Sequence, residues 1–338
     1  MAGLVQQIIP KIYDWDFNVF DVAGRSGSRP LFAVVMALLE DQGLLDGWKL
    51  DRATVARYFE AVEAAYNNNP YHNNTHAADV TQTAAVIMRF THDFLAMATA
   101  PPQQQQQLQQ QHRAVVGVAP ALAPLPPTAE EEEEEDRGLS RLERFCVIFA
   151  SAVHDLGHPG VNNDFLIRTR DKQAVIYNDK SVNENMHCAR AFEVALEAEG
   201  CDIFGRFSAE EYAKARSLIV GMVLSTDMAV HFDLLNKFNA ALEACPEPRL
   251  WGDKERGLVL QMLVHLADLA NPARPFFLAA AWAERVVTEF LRQGDAEAAR
   301  GLGVTPFCDR HKVCMPAAQQ GFVKMFAGVS WGEAGEGR

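Results

Sequence analysis

The chain of 338 residues is 49% hydrophobic and 22% charged, the balance of a globular chain and not of a disordered or fibrous one, and its length fits one large domain or two ordinary ones. The net charge of −13 leans on the acidic run Glu130–Asp136, and no stripe of Lys and Arg appears, which excludes a nucleic-acid polymer as main partner. The longest apolar runs, Leu31–Leu39 and Phe145–Val153, fall far short of the ~20 residues of a bilayer span. Met1–Lys11 lacks the pattern of a secretory signal, and six cysteines stand apart without a CxxC pair, so the expectation is a cytoplasmic protein with reduced thiols.

Apolar residues recur at spacings of three and four along most of the chain, and alternating strand patterns are hard to find, which predicts an all-α fold. Pro30 suits the first turn of a helix through Leu31–Leu39, and Val55, Tyr58, Phe59 and Val62 mark the next. A further helix carries Val80, Ala84, Ile87 and Met88, and its start is the segment from Tyr71 to Asp79 with His72 and His76 on one side. That histidine pair alone reads as readily as packing or capping as it does as metal binding. Gln then fills eight of the nine positions 103–111, followed by a Pro/Ala stretch and the acidic run. Such composition cannot offset its chain entropy, which predicts a disordered insert at about 99–138 within one domain.

Leu142, Phe145, Cys146, Phe149 and Val153 lead into His154-Asp155-Leu-Gly-His158-Pro159-Gly160. An ordinary His–Asp ion pair would explain these residues, but a buried pair at the end of so apolar a helix is costly without a compensating cation. Ser208 and Glu211 have the spacing of a capping box at the head of a helix through Leu218, Met222 and Val223. Val259, Met262, Leu263 and Leu266 belong to a helix that ends in His265-Leu-Ala-Asp268-Leu-Ala-Asn271-Pro272. Three helix ends thus carry His/Asp clusters. Mixed imidazole and carboxylate donors suit zinc and harder ions such as magnesium or manganese, and with no Cys among them they favour a hydrolytic site over a structural zinc–thiolate one.

These signatures resemble those of the class I cyclic nucleotide phosphodiesterases, a branch of the HD-type metal hydrolases. The resemblance runs on through Asp21–Gly24, Arg29–Leu31, Tyr177–Asn185, Ser225–Met228, Arg292–Asp295 and Gln319–Phe322, from about Trp15 to Phe326 apart from the insert. It implies a compact multi-helix catalytic domain over 15–326, with a binuclear metal site at converging helix ends, an extension at 1–14 and a tail at 327–338. The implied reaction is hydrolysis of cAMP or cGMP to the 5′-monophosphate by a hydroxide bridging two metals. His76, His154, Asp155 and Asp268 would hold a tight Zn2+, and Asp155 would share a second ion, Mg2+ or Mn2+. His72 would be the general acid on the leaving O3′, and His158, Glu184 and Thr226 would order metal-bound waters.

By the same resemblance Gln319 would read the purine, Phe322 and Val286 would sandwich it, and Asn271 and Met228 would belong to the pocket, with Trp282 and Phe290 either lining it or serving the core. Asn271-Pro272 is the form found in several cAMP-preferring members, which leans the reading to cAMP. The sequence departs from the family in its insert, in a C-terminus that loses the closing helix pattern, and in Met186, where many members carry histidine. Two other readings stay open: an HD-type phosphohydrolase on another nucleotide, which needs no Gln319/Phe322 clamp, and a non-catalytic cyclic nucleotide sensor. A homodimer, or regulatory domains outside this chain, would be the further partners.

Overall fold

The computed structural model describes residues 1–45, 49–99 and 138–327. Among them are α1 (Ala2–Ile8), α2 (Val19–Arg25), α3 (Pro30–Asp41), α4 (Arg52–Ala64), α5 (Asn74–Thr99), α6 (Arg141–Val153) and α7 (Asn163–Arg168). The remainder are α8 (Lys172–Ile176), α9 (Val182–Glu197), α10 (Ala209–Leu224), α11 (His231–Ala244), α12 (Asp253–Asp268), α13 (Phe276–Ala299) and α14 (Met315–Phe322), the last running into a π-helical turn at Val323–Ala327. No strand occurs among the described residues, so the all-α reading holds. The expected insert lies outside them except at its two ends, and the tail does so beyond residue 327.

Helix starts follow local chemistry. Pro30 occupies the first turn of α3, where its missing N–H costs nothing. Ser208 and Glu211 form the expected capping box on α10, and Ser140 and Glu143 form a second on α6. Buried Glu63 accepts from the Leu31 N–H at 2.9 Å and Asn74 Nδ2 at 3.1 Å, tying the heads of α3 and α5 together.

Helices α5 and α6 pack against each other at the centre, with α3, α10 and α12 around them. Tyr58, Phe59, Phe145 and Phe149 form an aromatic cluster in the main core, which also takes in Val5, Ile8 and Ile12 from the first fourteen residues. Burying each large side chain contributes roughly 1.5–3 kcal/mol. A buried ion pair, Asp79 on α5 with Arg274 at 2.9 Å, joins α5 to the turn after α12. No single described helix is long and apolar enough to cross a membrane.

Candidate metal and active centre

Three helix ends meet at one point. Asn73 caps α5, its Oδ1 accepting from the N–H groups of Thr75 at 2.8 Å and His76 at 3.1 Å, which sets His76 in the first turn. His154 caps the C-terminus of α6 with Asp155 beside it, and Asp268 is the last residue of α12. His76 Nε2 lies 3.1 Å from Asp268 Oδ1 and 3.4 Å from Asp155 Oδ2. His154 Nε2 lies 3.1 Å from Asp155 Oδ2 and 3.4 Å from Asp268 Oδ1. Just past α6 the chain reverses through Gly157 at φ +75°, where any Cβ would overlap the Arg190 guanidinium.

The donor set fits a divalent cation. His154 Nδ1 lies 2.8 Å from the Ser151 carbonyl, which can only accept, so Nδ1 is the donor there and Nε2 is the ring atom that faces the carboxylates. Both His154 Nε2 and Asp155 Oδ2 are buried without a hydrogen bond. Burial alone would raise the Asp155 and Asp268 carboxyls, but the adjoining imidazoles, His154 foremost, reverse this and hold both well below the ordinary range. Two imidazoles and two carboxylates converge here, a set of nitrogen and oxygen donors without cysteine that could hold a divalent cation.

A second group of donors surrounds Asp155, with His158 and His187. His187 donates from Nδ1 to the Leu156 carbonyl at 2.8 Å and turns Nε2 toward Asp155 Oδ1 at 3.7 Å. Burial pushes the His187 imidazole down to about 4, so at neutral pH it is an uncharged acceptor.

His72 stands at the rim, its side chain 22% exposed, with Nδ1 against Glu289 Oε1. Glu289 Oε2 accepts from the backbone N–H of Tyr71 at 2.9 Å and of His72 at 3.1 Å, so one carboxylate fixes both the ring and its backbone. Burial works against protonation of His72, but the charges of Asp155 and Glu289 outweigh it and raise the imidazole to about 9. The His158 ring stacks on it at 3.9 Å between centroids, and burial together with the His72 charge drives His158 well below the ordinary range. One ring of the stack therefore carries the charge and the other is neutral. Asn69 Nδ2 donates to the carbonyls of His72 at 2.9 Å and His158 at 2.8 Å, binding the two histidine segments together.

Glu184, in the first turn of α9, accepts from Asn163 Nδ2 at 2.9 Å, and burial lifts its carboxyl to about 7. The residues before it, Asn178, Asp179 and Ser181, are left-handed at φ 54°, 61° and 40°, a cost the fold offsets partly through the Ser181 hydroxyl donating to Asp227 Oδ2 at 2.8 Å. Thr226 is buried and donates to the Val223 carbonyl at 2.8 Å.

The residues assigned to the base lie on other elements. Helix α14 packs on α13, and its π-turn extension packs on the turn Asn271–Ala273. Gln319 and Phe322 are partly buried on α14, Val286 is partly buried on α13, and Met228 and Phe290 are exposed. Trp282 is buried, its ring 5.7 Å from that of His76, so it backs that imidazole. Asn271 is buried too, donating to Asp79 Oδ2 at 2.8 Å and accepting from the Tyr71 hydroxyl.

Glu289 and His187 were not singled out by sequence. Glu289 carried a usable signal: with Gln293 and Glu297 it forms a polar stripe at helical spacing on the face of α13 that also holds Trp282, where apolar residues would be expected.

Residues 71–335 match the family model described as 3′5′-cyclic nucleotide phosphodiesterase. The chain is 36% identical over 323 residues to the 3′,5′-cyclic-AMP phosphodiesterase 4C of Rattus norvegicus, covering 94% of this chain and 52% of that protein. It is 32% identical over 321 residues to the probable 3′,5′-cyclic-AMP phosphodiesterase pde-4 of Caenorhabditis elegans, covering 93% of this chain and 41% of that protein. It therefore spans about half or less of these relatives' length. The crystal structure of the phosphodiesterase domain of the Salpingoeca rosetta rhodopsin phosphodiesterase superposes with a TM-score of 0.73 at 26% identity, over 95% of this chain and 84% of that one. With the helix-end cluster in place and the match running through it, the chain belongs to the 3′5′-cyclic nucleotide phosphodiesterase family.

Proposed function

We propose that the chain hydrolyses 3′,5′-cyclic nucleotides, cAMP in preference to cGMP, to the 5′-monophosphate. The observation that carries this is the convergence of His76, His154, Asp155 and Asp268, with two buried donor atoms unsatisfied, below a protonated histidine at the rim. The four would hold Zn2+, and Asp155 with its second donor group would hold Mg2+ or Mn2+. When bound, such a pair acidifies water and polarises phosphoryl oxygens.

The chain's own residues do the remainder. Glu289 accepts the Nδ1–H hydrogen bond of His72 and leaves the proton on the ring, so the protonated imidazole presents its other N–H, on Nε2, to the leaving O3′. Without that proton the ribose oxygen would leave as an alkoxide. Neutral His158 stacks on the face of the acid. Gln319 is the base reader, since its amide offers a donor and an acceptor edge and forms no hydrogen bond to a described residue, with Phe322 and Val286 on the two faces of the ring. The lean to cAMP rests on Asn271-Pro272 and on the names of the relatives. The setting consistent with a reduced-thiol chain is the cytoplasm.

The test is to strip the chain with a chelator, restore Zn2+ and Mg2+, and follow cAMP and cGMP separately by chromatography. Cation-dependent 5′-AMP, with a higher KM for cAMP in Gln319→Ala, is the expected result. Unchanged KM in that variant sinks the assigned base site, and turnover of neither nucleotide by loaded protein sinks the reaction.

A further inference from the structure

The polar stripe on α13 has three stations one helical turn apart, and only the first, Glu289, touches the acid. The second, Gln293, is buried at 3% exposure and makes a two-point clamp on one residue. Its Oε1 accepts from the Asn162 N–H at 2.9 Å, and its Nε2 donates to Asn162 Oδ1 at 3.1 Å. Nε2 also donates to Glu297 Oε1 at 3.0 Å, so the amide orientation is fixed from both ends. Glu297, the third station, accepts from the Thr305 N–H at 2.7 Å, which pins the turn beyond α13 to the same face.

Asn162 is the N-cap of α7, accepting from the Phe165 N–H at 2.9 Å. Its neighbour Asn163 donates from Nδ2 to Glu184 Oε2 at 2.9 Å and accepts from the Asn183 N–H at 2.9 Å. A rigid contact path therefore runs from α13 through Gln293, Asn162 and Asn163 to the carboxylate of Glu184. That carboxylate follows a stretch of left-handed residues which local geometry alone would not hold.

We infer that Gln293 is a positioning residue, setting Glu184 through Asn162 and Asn163 and so governing affinity at the second cation site. The inference rests on Glu184 serving that site, as proposed above. One helix then orients the acid through Glu289 and the cation-side carboxylate through Gln293, keeping the two in fixed relation. Groups that act through a ligand's supporting shell typically change metal affinity 10–100-fold when lost.

The test is titration of Mn2+ into Zn2+-loaded protein, read by electron paramagnetic resonance and independent of turnover. Gln293→Leu is expected to weaken Mn2+ about 10-fold while Zn2+ stays at one per chain. Asn163→Ala is expected to do the same, and the double variant to add nothing further, because both cut one path. Should the Leu variant fail to fold, Asn163→Ala, which cuts the same path outside α13, carries the test alone. Unchanged Mn2+ affinity, parallel loss of Zn2+, or additive effects of the two substitutions overturn the inference. Failure of the underlying reading shows in the unsubstituted chain instead, as no second cation and no turnover, and takes the inference with it.

Discussion

His72 is held between opposing influences: burial favours its neutral form, and Asp155 and Glu289 favour its charged form and prevail. Because the proton is bound below the raised pKa, donation to a leaving group is lost as pH rises toward about 9, and sooner once cations offset the Asp155 charge. His72→Ala should lower kcat by about 10²–10⁴-fold with cation content unchanged. Glu289→Gln removes the negative charge that remains beside the ring, so the alkaline limb of the kcat/KM profile should move to lower pH. An unmoved limb would mean that another group titrates.

Glu63 shows the reverse consequence of burial. Desolvation raises its carboxyl to about 7, so the folded state binds a proton that the unfolded chain releases from about 4.5 upward. Its contribution to stability is full below that range and lost as pH rises through about 7. Glu63→Gln should therefore gain stability relative to the parent as pH rises from 5 to 8, by on the order of 1–3 kcal/mol, read from the melting temperatures of the two proteins. A difference that is flat with pH would contradict this. The His and Asp ligand candidates were legible in sequence because each marks the end of an apolar helix. The role of Glu289 was not, because its partner lies 217 residues away and only folding brings the two together.

Among the elements, α13 does the most for the site without contributing to the cluster of His76, His154, Asp155 and Asp268. It carries Glu289 and Gln293, supports α14, and receives the turn Pro306–Cys308 at Gly294, where a Cβ would come within 1.9 Å of the Cys308 carbonyl oxygen. Gly294→Ala should cost about 1–3 kcal/mol through backbone overpacking, measured as a fall in melting temperature. An unshifted transition would show that the turn yields freely. Helix existence was readable from periodicity, and the starts of α3 and α10 from Pro30 and the Ser208/Glu211 box. The polar face of α13 was readable as a stripe at helical spacing, but period alone does not reveal which neighbour a buried carboxylate will meet.

Over the whole molecule, α5 and α6 flank the insert yet lie against each other, and His92 Nδ1 on α5 accepts from the Leu139 N–H at 2.9 Å. The second end of the insert is thus fastened to the helix that leads into it, and loop closure depends only weakly on length. Replacing 103–134 with a short Gly/Ser linker should leave kcat/KM for cAMP unchanged and raise stability by no more than about 1 kcal/mol. Collapse of activity with the fold retained would give the insert a role that its composition does not suggest. Fold class and family followed from local pattern, whereas the meeting of three helix ends depends on long-range packing that no window of sequence contains.

The central claim is that His76, His154, Asp155 and Asp268 form one cation centre on which turnover depends. Cation content and 5′-AMP formation should be measured on the same preparations of the parent chain and Asp268→Ala. The expected result is two divalent cations and turnover in the parent, against loss of the tight cation and about 10³-fold or greater loss of turnover in a folded variant, in line with groups that act as a unit. A folded Asp268→Ala that keeps its cations and its turnover, or a parent chain indifferent to chelation, would contradict the account.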